Sequence, residues 1–409
     1  MDICVVGLGY IGLPTALMLA SKSEHHIIGV DCSERVVSSL QNGVVTFEEE
    51  GLDALFKQAC DKGIEFTTEY VPADMYIVAV PTPYDKETKS VDASYVVEAV
   101  KDVLPASKEG TILAIESTVS PGTIDKCVRP LIEEQGLEIG KDIHLVHTPE
   151  RIIPGNMLKE LVENSRTIGA DEPQIGAQVK EVYASFCKGE IILTDIRTAE
   201  MSKVVENIYR DVNIAYANEL AKICHAAGLD VYEVIDIANH HPRVNILQPG
   251  PGVGGHCIPV DSWFIVADYP FIADLIHQAR TTNLSMPEYV LDRLSEIMKK
   301  HGVEDESRVG FYGLTYKENV DDIRDSPTLQ LAECLEKHLG SHRAKFYDPY
   351  VDHEIVDGQM YDLNEFLDSV DVVVVMVAHD EIVNNVDLLK DKVVFDTRHC
   401  IDLEGVERL

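Results

Sequence analysis

Residues 254–261 read Gly254-Gly255-His256-Cys257-Ile258-Pro259-Val260-Asp261, a cysteine between a glycine pair and a proline. Pro259 suits the first turn of a helix running to about residue 268, because a proline there forfeits no hydrogen bond. Cys257 then sits at or just before a helix N-terminus, where the dipole favours the thiolate, its nucleophilic form. Asp261 falls about one turn further on, close enough to hold a water. The competing reading makes Cys257 one more buried thiol among the nine cysteines of the chain.

A second set of polar residues lies upstream. Lys203, Asn207 and Arg210 stand at i, i+4 and i+7, one face of a helix. Val204, Val205, Ile208 and Val212 lie off that stripe and are expected to pack. A lysine and an amide side by side can stabilise an oxyanion. The same spacing also fits a solvated polar face, which is the commoner arrangement in an acidic protein.

The third set is Gly7-Leu8-Gly9-Tyr10-Ile11-Gly12, following the apolar run Ile3-Cys4-Val5-Val6. Alone, G-x-G-x-x-G is a weak signal. Here it leaves a strand, opens a helix with Pro14 in its first turn, and is followed by Asp31 after a second strand, Ile27-Ile28-Gly29-Val30. The glycines allow a tight turn and let a pyrophosphate sit on the helix N-terminus. Asp31 would accept from the adenosine ribose and repel a 2′-phosphate, favouring NAD over NADP. Val80-Pro81-Thr82-Pro83 and Glu116-Ser117-Thr118 each follow an expected strand, where loops line a cofactor crevice. Thr82 and Thr118 either contact that cofactor or only satisfy turns. A dinucleotide site together with a nucleophilic cysteine has its own logic. An alcohol loses a hydride to become an aldehyde, the thiolate adds, a second hydride leaves a thioester, and water releases an acid.

These residues need a scaffold of more than one core, since the chain has 409 residues. Residues 1–196 alternate strand and helix, with further strands expected over 75–80 and 111–115 and a helix over 93–104. Residues 197–300 are helical in pattern, above all 199–227, which Gly228 ends as a C′ glycine. A glycine- and proline-rich loop covers 248–255. Residues 301–409 return to alternation, with strands expected over 308–312, 344–347, 372–377 and 393–396. The fold class is therefore α/β: an N-terminal Rossmann-like doubly wound domain, a central all-helical region, and a smaller C-terminal Rossmann-like domain. The net charge of −35 argues against nucleic acid and anionic membranes as partners, and an anionic substrate would have to gather the few basic residues around itself. Cysteines without a CxxC pair and a start lacking a basic n-region point to a reducing, cytoplasmic setting. No apolar run is long enough to span a bilayer. His240, His241, His256 and Cys257 lack structural zinc spacing, and a nucleophilic thiolate cannot also be a ligand, so no metal is expected.

Taken in order, GLGYIG, VPTP, EST, the Pro-Glu-Arg run at 149–155, TAEMSK at 198–203, GGHC and GLTYK at 313–317 resemble the UDP-glucose/GDP-mannose dehydrogenase family over essentially the whole chain. Within it, Pro149-Glu150-Arg151-Ile152-Ile153-Pro154-Gly155, residues 209–214 and residues 241–250 are close to the branch acting on UDP-N-acetyl-D-mannosamine. The resemblance implies an NAD-dependent four-electron oxidation of that sugar to its uronate, serving surface polysaccharide synthesis. It makes Cys257 the nucleophile, Lys203 the proton donor and oxyanion stabiliser with Asn207, and Asp261, Thr118 and Glu150 the residues that position water or relay protons. It places NAD against Gly7, Gly9, Tyr10, Ile11, Gly12, Asp31, Thr82, Thr118 and, from the third segment, Arg324. It assigns the substrate to Arg151, Ile152, Lys203, Asn207, Arg210, His241, Arg243, Gly254, Tyr316, Lys317 and Arg398, the last standing where the branch more often has lysine. Lys203, Arg210, Arg243, Lys317 and Arg324 would make the cationic pocket that the overall charge demands. Arg243 would cross a subunit interface, so a homodimer or higher homo-oligomer through the central helices is implied. The alternatives are a UDP-N-acetylglucosamine or UDP-glucose 6-dehydrogenase, a two-electron hydroxyacid or polyol dehydrogenase with Lys203 as base and Cys257 structural, and a non-catalytic nucleotide-binding module.

Overall fold

A computed structural model describes residues 1–85, 91–153, 155–338 and 344–409. Pro154 of the Pro-Glu-Arg run lies outside them. The chain forms two compact units, Met1–Glu206 and Asn207–Leu409, and the division falls inside the long helix Ile196–Ala227.

The first unit holds an eight-stranded sheet of β1 (Asp2–Val6), β2 (His26–Val30), β3 (Glu65–Thr67), β4 (Met75–Val78), β5 (Thr111–Ile115), β6 (Ile143–His147), β7 (Arg166–Ala170) and β8 (Ile191–Thr194). Their order is β3-β2-β1-β4-β5-β6-β7-β8. The short apolar runs are strands because they are buried on both faces. Along β1, Ile3 and Val5 enter one core cluster, while Cys4 and Val6 enter the other. Parallel pairing holds throughout except at one place, where β7 runs antiparallel to β6. The expectation of a parallel sheet fails at that one pairing.

The second unit combines helices with a six-stranded parallel sheet of β9 (Val309–Tyr312), β10 (Lys345–Tyr347), β11 (Gln359–Met360), β12 (Val372–Val375), β13 (Val393–Asp396) and β14 (Glu407–Arg408), in the order β11-β10-β9-β12-β13-β14. Val372 and Val374 face one core, Val373 and Val375 the other. Before the sheet come the helices Val231–Asn239, Ile258–Asp268, Asp274–Leu284 and Met286–His301, beside the C-terminal part of the long one, and between its strands lie Pro327–His338, Leu363–Ser369 and Asp380–Val383. Gly228 closes that long helix at φ 68°, with Leu229 N–H reaching back to the Cys224 carbonyl. Among the described residues no helix is long and apolar enough to cross a membrane.

Candidate functional site

In the first unit, the loops after β1, β2, β4 and β5 leave from one end of the sheet. Gly7 takes φ 90°, and a Cβ there would stand 2.6 Å from the Ala79 carbonyl oxygen. A Cβ on Gly12 would stand 1.8 Å from the Gly7 carbonyl oxygen, so those two glycines are required by the chain itself. Gly9 differs: a Cβ there would meet no protein atom within 4 Å. The chain's own packing does not demand that glycine, and the space beside it opens at the start of the helix Gly12–Lys22. Asp31 stands next to it. One of its oxygens accepts the Leu8 N–H and the other the Ser33 N–H, both at 2.8 Å, and the residue is only half-buried. Each oxygen keeps capacity for a further donor. Tyr10 is exposed and tilts over Phe47, while Ile11 precedes the helix and packs on the core. The Thr82 hydroxyl donates to the Thr118 carbonyl at 2.7 Å, and Ser117 donates to the Val80 carbonyl, so the two cofactor-side loops are tied to each other. A glycine cradle, a helix N-terminus and a half-open carboxylate together fit a dinucleotide.

Behind Thr118 lies a buried ion pair. Arg166 donates to Glu116 at 2.6 Å, and Tyr183 reaches the same carboxylate at 3.3 Å. Burial pushes the Glu116 carboxyl up, and the Arg166 charge opposes this. Beyond β6, Glu150 is buried and accepts the Ile152 N–H at 2.6 Å, with Ile152 buried beside it. Arg151 is engaged by Glu206 and by Ser165 and Thr167. On the long helix Lys203 is buried, and Arg210 is exposed. Val204 and Ile208 pack as expected, but Val205 does not: it is exposed, because the apolar stripe is narrower than its valines suggest. One turn before Lys203, the buried Glu200 accepts N–H groups from Gly122 and Ile124 and so fixes the loop after Thr118.

In the second unit, Cys257 is exposed and stands at the N-cap of Ile258–Asp268, with Pro259 in the first turn. Its carbonyl accepts the Asp261 N–H at 2.8 Å. Asp261 is buried and receives the Asn207 side-chain N–H at 2.7 Å. The glycine pair before Cys257 is forced by close packing. A Cβ on Gly254 would stand 2.6 Å from the Asp325 carbonyl oxygen, and one on Gly255 2.9 Å from the Tyr316 ring. Gly255 also donates to the Arg324 carbonyl. This brings Tyr316 and Arg324 to the cysteine loop. Burial, then the Asp322 charge, push the Tyr316 phenol up to about 12. The Arg324 guanidinium is forked onto Asp322, which raises its pKa.

Tyr316 and Lys317 ride on a loop pinned by Asp348, whose carboxylate accepts the N–H groups of Leu314 and Thr315 at 2.6 and 3.0 Å. Arg398 is held by its N–H to Asp396, and its guanidinium lies beside Gly250. His241 and Arg243 are exposed together in the loop after Val231–Asn239. Sequence reasoning missed Glu116, Arg166, Glu200, Asp211, Arg280, Asp348 and His379, all buried and polar. Two carried a readable signal: Asp211 continues the Lys203–Asn207 stripe at i+8, and Asp348 follows β10 as Asp31 follows β2.

Comparison with known proteins agrees with this geometry. The UDP-glucose/GDP-mannose dehydrogenase family matches in three parts: its NAD binding domain over residues 1–187, its central domain over 197–285, and its UDP binding domain over 310–403. A protein named UDP-N-acetyl-D-mannosamine dehydrogenase from Methanococcus maripaludis is 42% identical, covering 98% of this chain and 93% of that one. A Ralstonia nicotianae protein named NDP-N-acetyl-D-galactosaminuronic acid dehydrogenase is 41% identical over 97% of this chain and 95% of its own length. The solved UDP-D-ManNAc dehydrogenase of Pyrococcus horikoshii superposes with a TM-score of 0.92 at 36% identity, covering 100% of this chain and 98% of that one.

Proposed function

Because this chain belongs to the UDP-glucose/GDP-mannose dehydrogenase family, with its NAD-binding and UDP-binding domains, we propose that it oxidises UDP-N-acetyl-D-mannosamine to UDP-N-acetyl-D-mannosaminuronate. The observation that carries this reading is Cys257, exposed at a helix N-cap, with Asp261 one turn on and bonded to Asn207. The domains are taken as 1–196 for the cofactor, 197–300 for the catalytic helices and 301–409 for the UDP-sugar.

Bound NAD supplies the hydride acceptor for two successive oxidations of the sugar C6. Gly7, Gly9, Tyr10, Ile11, Gly12, Asp31, Thr82, Thr118 and Arg324 hold it. After the first oxidation, the Cys257 sulfur adds to the aldehyde carbon, and Lys203 gives a proton to the resulting oxyanion with Asn207 beside it. The second oxidation turns this thiohemiacetal into a thioester. Water held by Asp261, with Thr118 and Glu150 relaying protons, adds to the thioester carbon. The C–S bond then breaks and the carboxylate leaves. Arg151, Ile152, Arg210, His241, Arg243, Gly254, Tyr316, Lys317 and Arg398 orient the nucleotide sugar.

The assembly is a homodimer or larger, with Arg243 reaching a neighbouring site. Exposed Tyr209, Tyr216 and Ile223, seven residues apart on the long helix, support a partner along that face. Nine scattered cysteines without a CxxC pair support a reducing, cytoplasmic setting. The product would feed surface polysaccharide assembly. The Ralstonia relative's name favours a second reading, another UDP-N-acetylhexosamine epimer. A panel of UDP-sugars with NADH counted per mole decides. UDP-N-acetyl-D-mannosamine is expected to give two NADH and one acid, and to be used best. A single NADH per sugar overturns the four-electron reading, and preference for another epimer overturns the substrate.

A further inference from the structure

The second unit buries charges on the long helix beside the one that follows Cys257. Asp211 and Arg280 are both fully buried, 2.8 Å apart. Burying an ion pair is weak evidence for stability, because two well-packed apolar residues often serve as well. Its retention calls for another account, and the partners supply one. The second oxygen of Asp211 accepts the Ser262 hydroxyl at 2.7 Å, and Asn283 donates to both the side chain and the carbonyl of Asp211. Ser262 follows Asp261 directly, and Asp211 lies one turn beyond Asn207. Two bonds one turn apart therefore staple the long helix to the helix behind Cys257: Asn207 to Asp261 and Asp211 to Ser262. Further along the same helix, Asn218 bonds Asn283 and accepts the Gly250 N–H, which anchors the loop leading to the glycine pair.

We infer that Asp211, Ser262 and Arg280 are positioning residues for the hydrolytic half of the reaction. Arg280 holds the Asp211 carboxylate in place, Asp211 holds Ser262, and Ser262 fixes the rotation of the helix that presents the Asp261 carboxylate to water. This rests on the thioester reading above. In the step concerned, water adds to the thioester carbonyl, the C–S bond breaks, the Cys257 thiolate departs, the sugar is left as its carboxylate and two protons are released. A misplaced Asp261 slows that step and leaves both preceding oxidations intact.

The test compares wild type with Ser262→Ala, Asp211→Ala and the double variant Asp211→Asn/Arg280→Met. Rapid-mixing NADH traces are recorded with UDP-N-acetyl-D-mannosamine, together with mass spectrometry of the quenched Cys257 peptide. Ser262→Ala removes one hydrogen bond and no charge. It is expected to lower kcat about fivefold and KM with it, leaving kcat/KM nearly unchanged, after a burst approaching two NADH per site. The acyl adduct on Cys257 accumulates with the burst. Asp211→Ala shows a larger drop. The double variant keeps an acceptor for Ser262 without buried charge and is expected to recover most of the turnover. Wild-type kcat in Ser262→Ala without a burst overturns the inference. So does a loss that tracks melting temperature in all variants without adduct. If wild type itself yields one NADH or no acid, the four-electron reading fails instead.

Discussion

At the carboxyl end of β1, Gly7 donates to the Val30 carbonyl at 2.8 Å and Leu8 donates to the Asp31 carboxylate at 2.8 Å. At the carboxyl end of β9, Gly313 donates to the Tyr347 carbonyl at 2.7 Å and Leu314 to the Asp348 carboxylate at 2.6 Å. Both glycines have positive φ, and each is crowded by the region just after the neighbouring strand, Ala79 in one sheet and Val377 in the other. The two sheets thus start with the same strand–glycine–strand–aspartate device. Past the glycine the two diverge. After Gly7 the helix begins at Gly12, and Asp31 stays half-open. After Gly313 the next helix waits until Pro327, and Asp348 is sealed under His379. The His379 ring lies between the Asn319 N–H, 3.0 Å from its Nδ1, and Asp348, 3.1 Å from its Nε2. One device is left half-open; the other is closed and pins the loop that carries Tyr316 and Lys317.

Removing each aspartate separates these roles most sharply. Asp348→Ala strands the Leu314, Thr315 and Tyr350 N–H groups in a buried site and is expected to cost roughly 3–5 kcal/mol of second-unit stability in urea unfolding. Asp31→Ala frees two N–H groups at a half-exposed site, costing about 1–2 kcal/mol, while weakening NAD binding and narrowing the preference over NADP. Equal destabilisation by both, or unchanged NAD affinity in Asp31→Ala, would break the comparison.

The open device is legible in sequence because its residues are close together and typed: three glycines and one acid after a strand. The closed one is legible only in part: Asp348 follows a strand as Asp31 does, but it and His379 are brought to Leu314 only by the order β10-β9-β12 of the second sheet. The same holds at the site. Cys257 at a helix start and the long helix ending at Gly228 come from local rules. Arg151 turning to Glu206 and the antiparallel β7 depend on tertiary neighbours. Strands β6, β7 and β8 escape a pattern-based reading because their runs are short and mixed with His, Arg and Thr.

Each sheet also buries a histidine, and only one is paired to an acid. His147 is fully buried; its Nδ1–H donates to the Ile115 carbonyl, and its Nε2 has no partner. Burial lowers its pKa from 6.5 to about 4. Above pH 6.5 both folded and unfolded chains hold it neutral. Between the two values the unfolded chain takes a proton that the folded one refuses, so stability falls as pH falls. The loss reaches about 3 kcal/mol by the folded pKa. His147→Gln is expected to flatten that part of the stability–pH curve for the first unit. An unchanged slope in the variant would show that other groups set it.

The smallest effect is the most selective. Gly9 lies outside the positive-φ region, and a Cβ on it touches nothing. Gly9→Ala is therefore expected to leave the first unit as stable as before, or to raise its stability by about 0.4–1 kcal/mol through a stiffer unfolded chain. If the empty space beside Gly9 is where the pyrophosphate lies, the same methyl group blocks it. NAD affinity, measured by calorimetry, should then fall about tenfold, roughly 1.4 kcal/mol. Stability and affinity move in opposite directions only if the glycine is kept for a ligand rather than for the chain. Gly7→Ala, by contrast, should lose both, because its Cβ meets the Ala79 carbonyl at 2.6 Å. Wild-type NAD affinity in Gly9→Ala would mean that the open end of β1 holds its cofactor elsewhere.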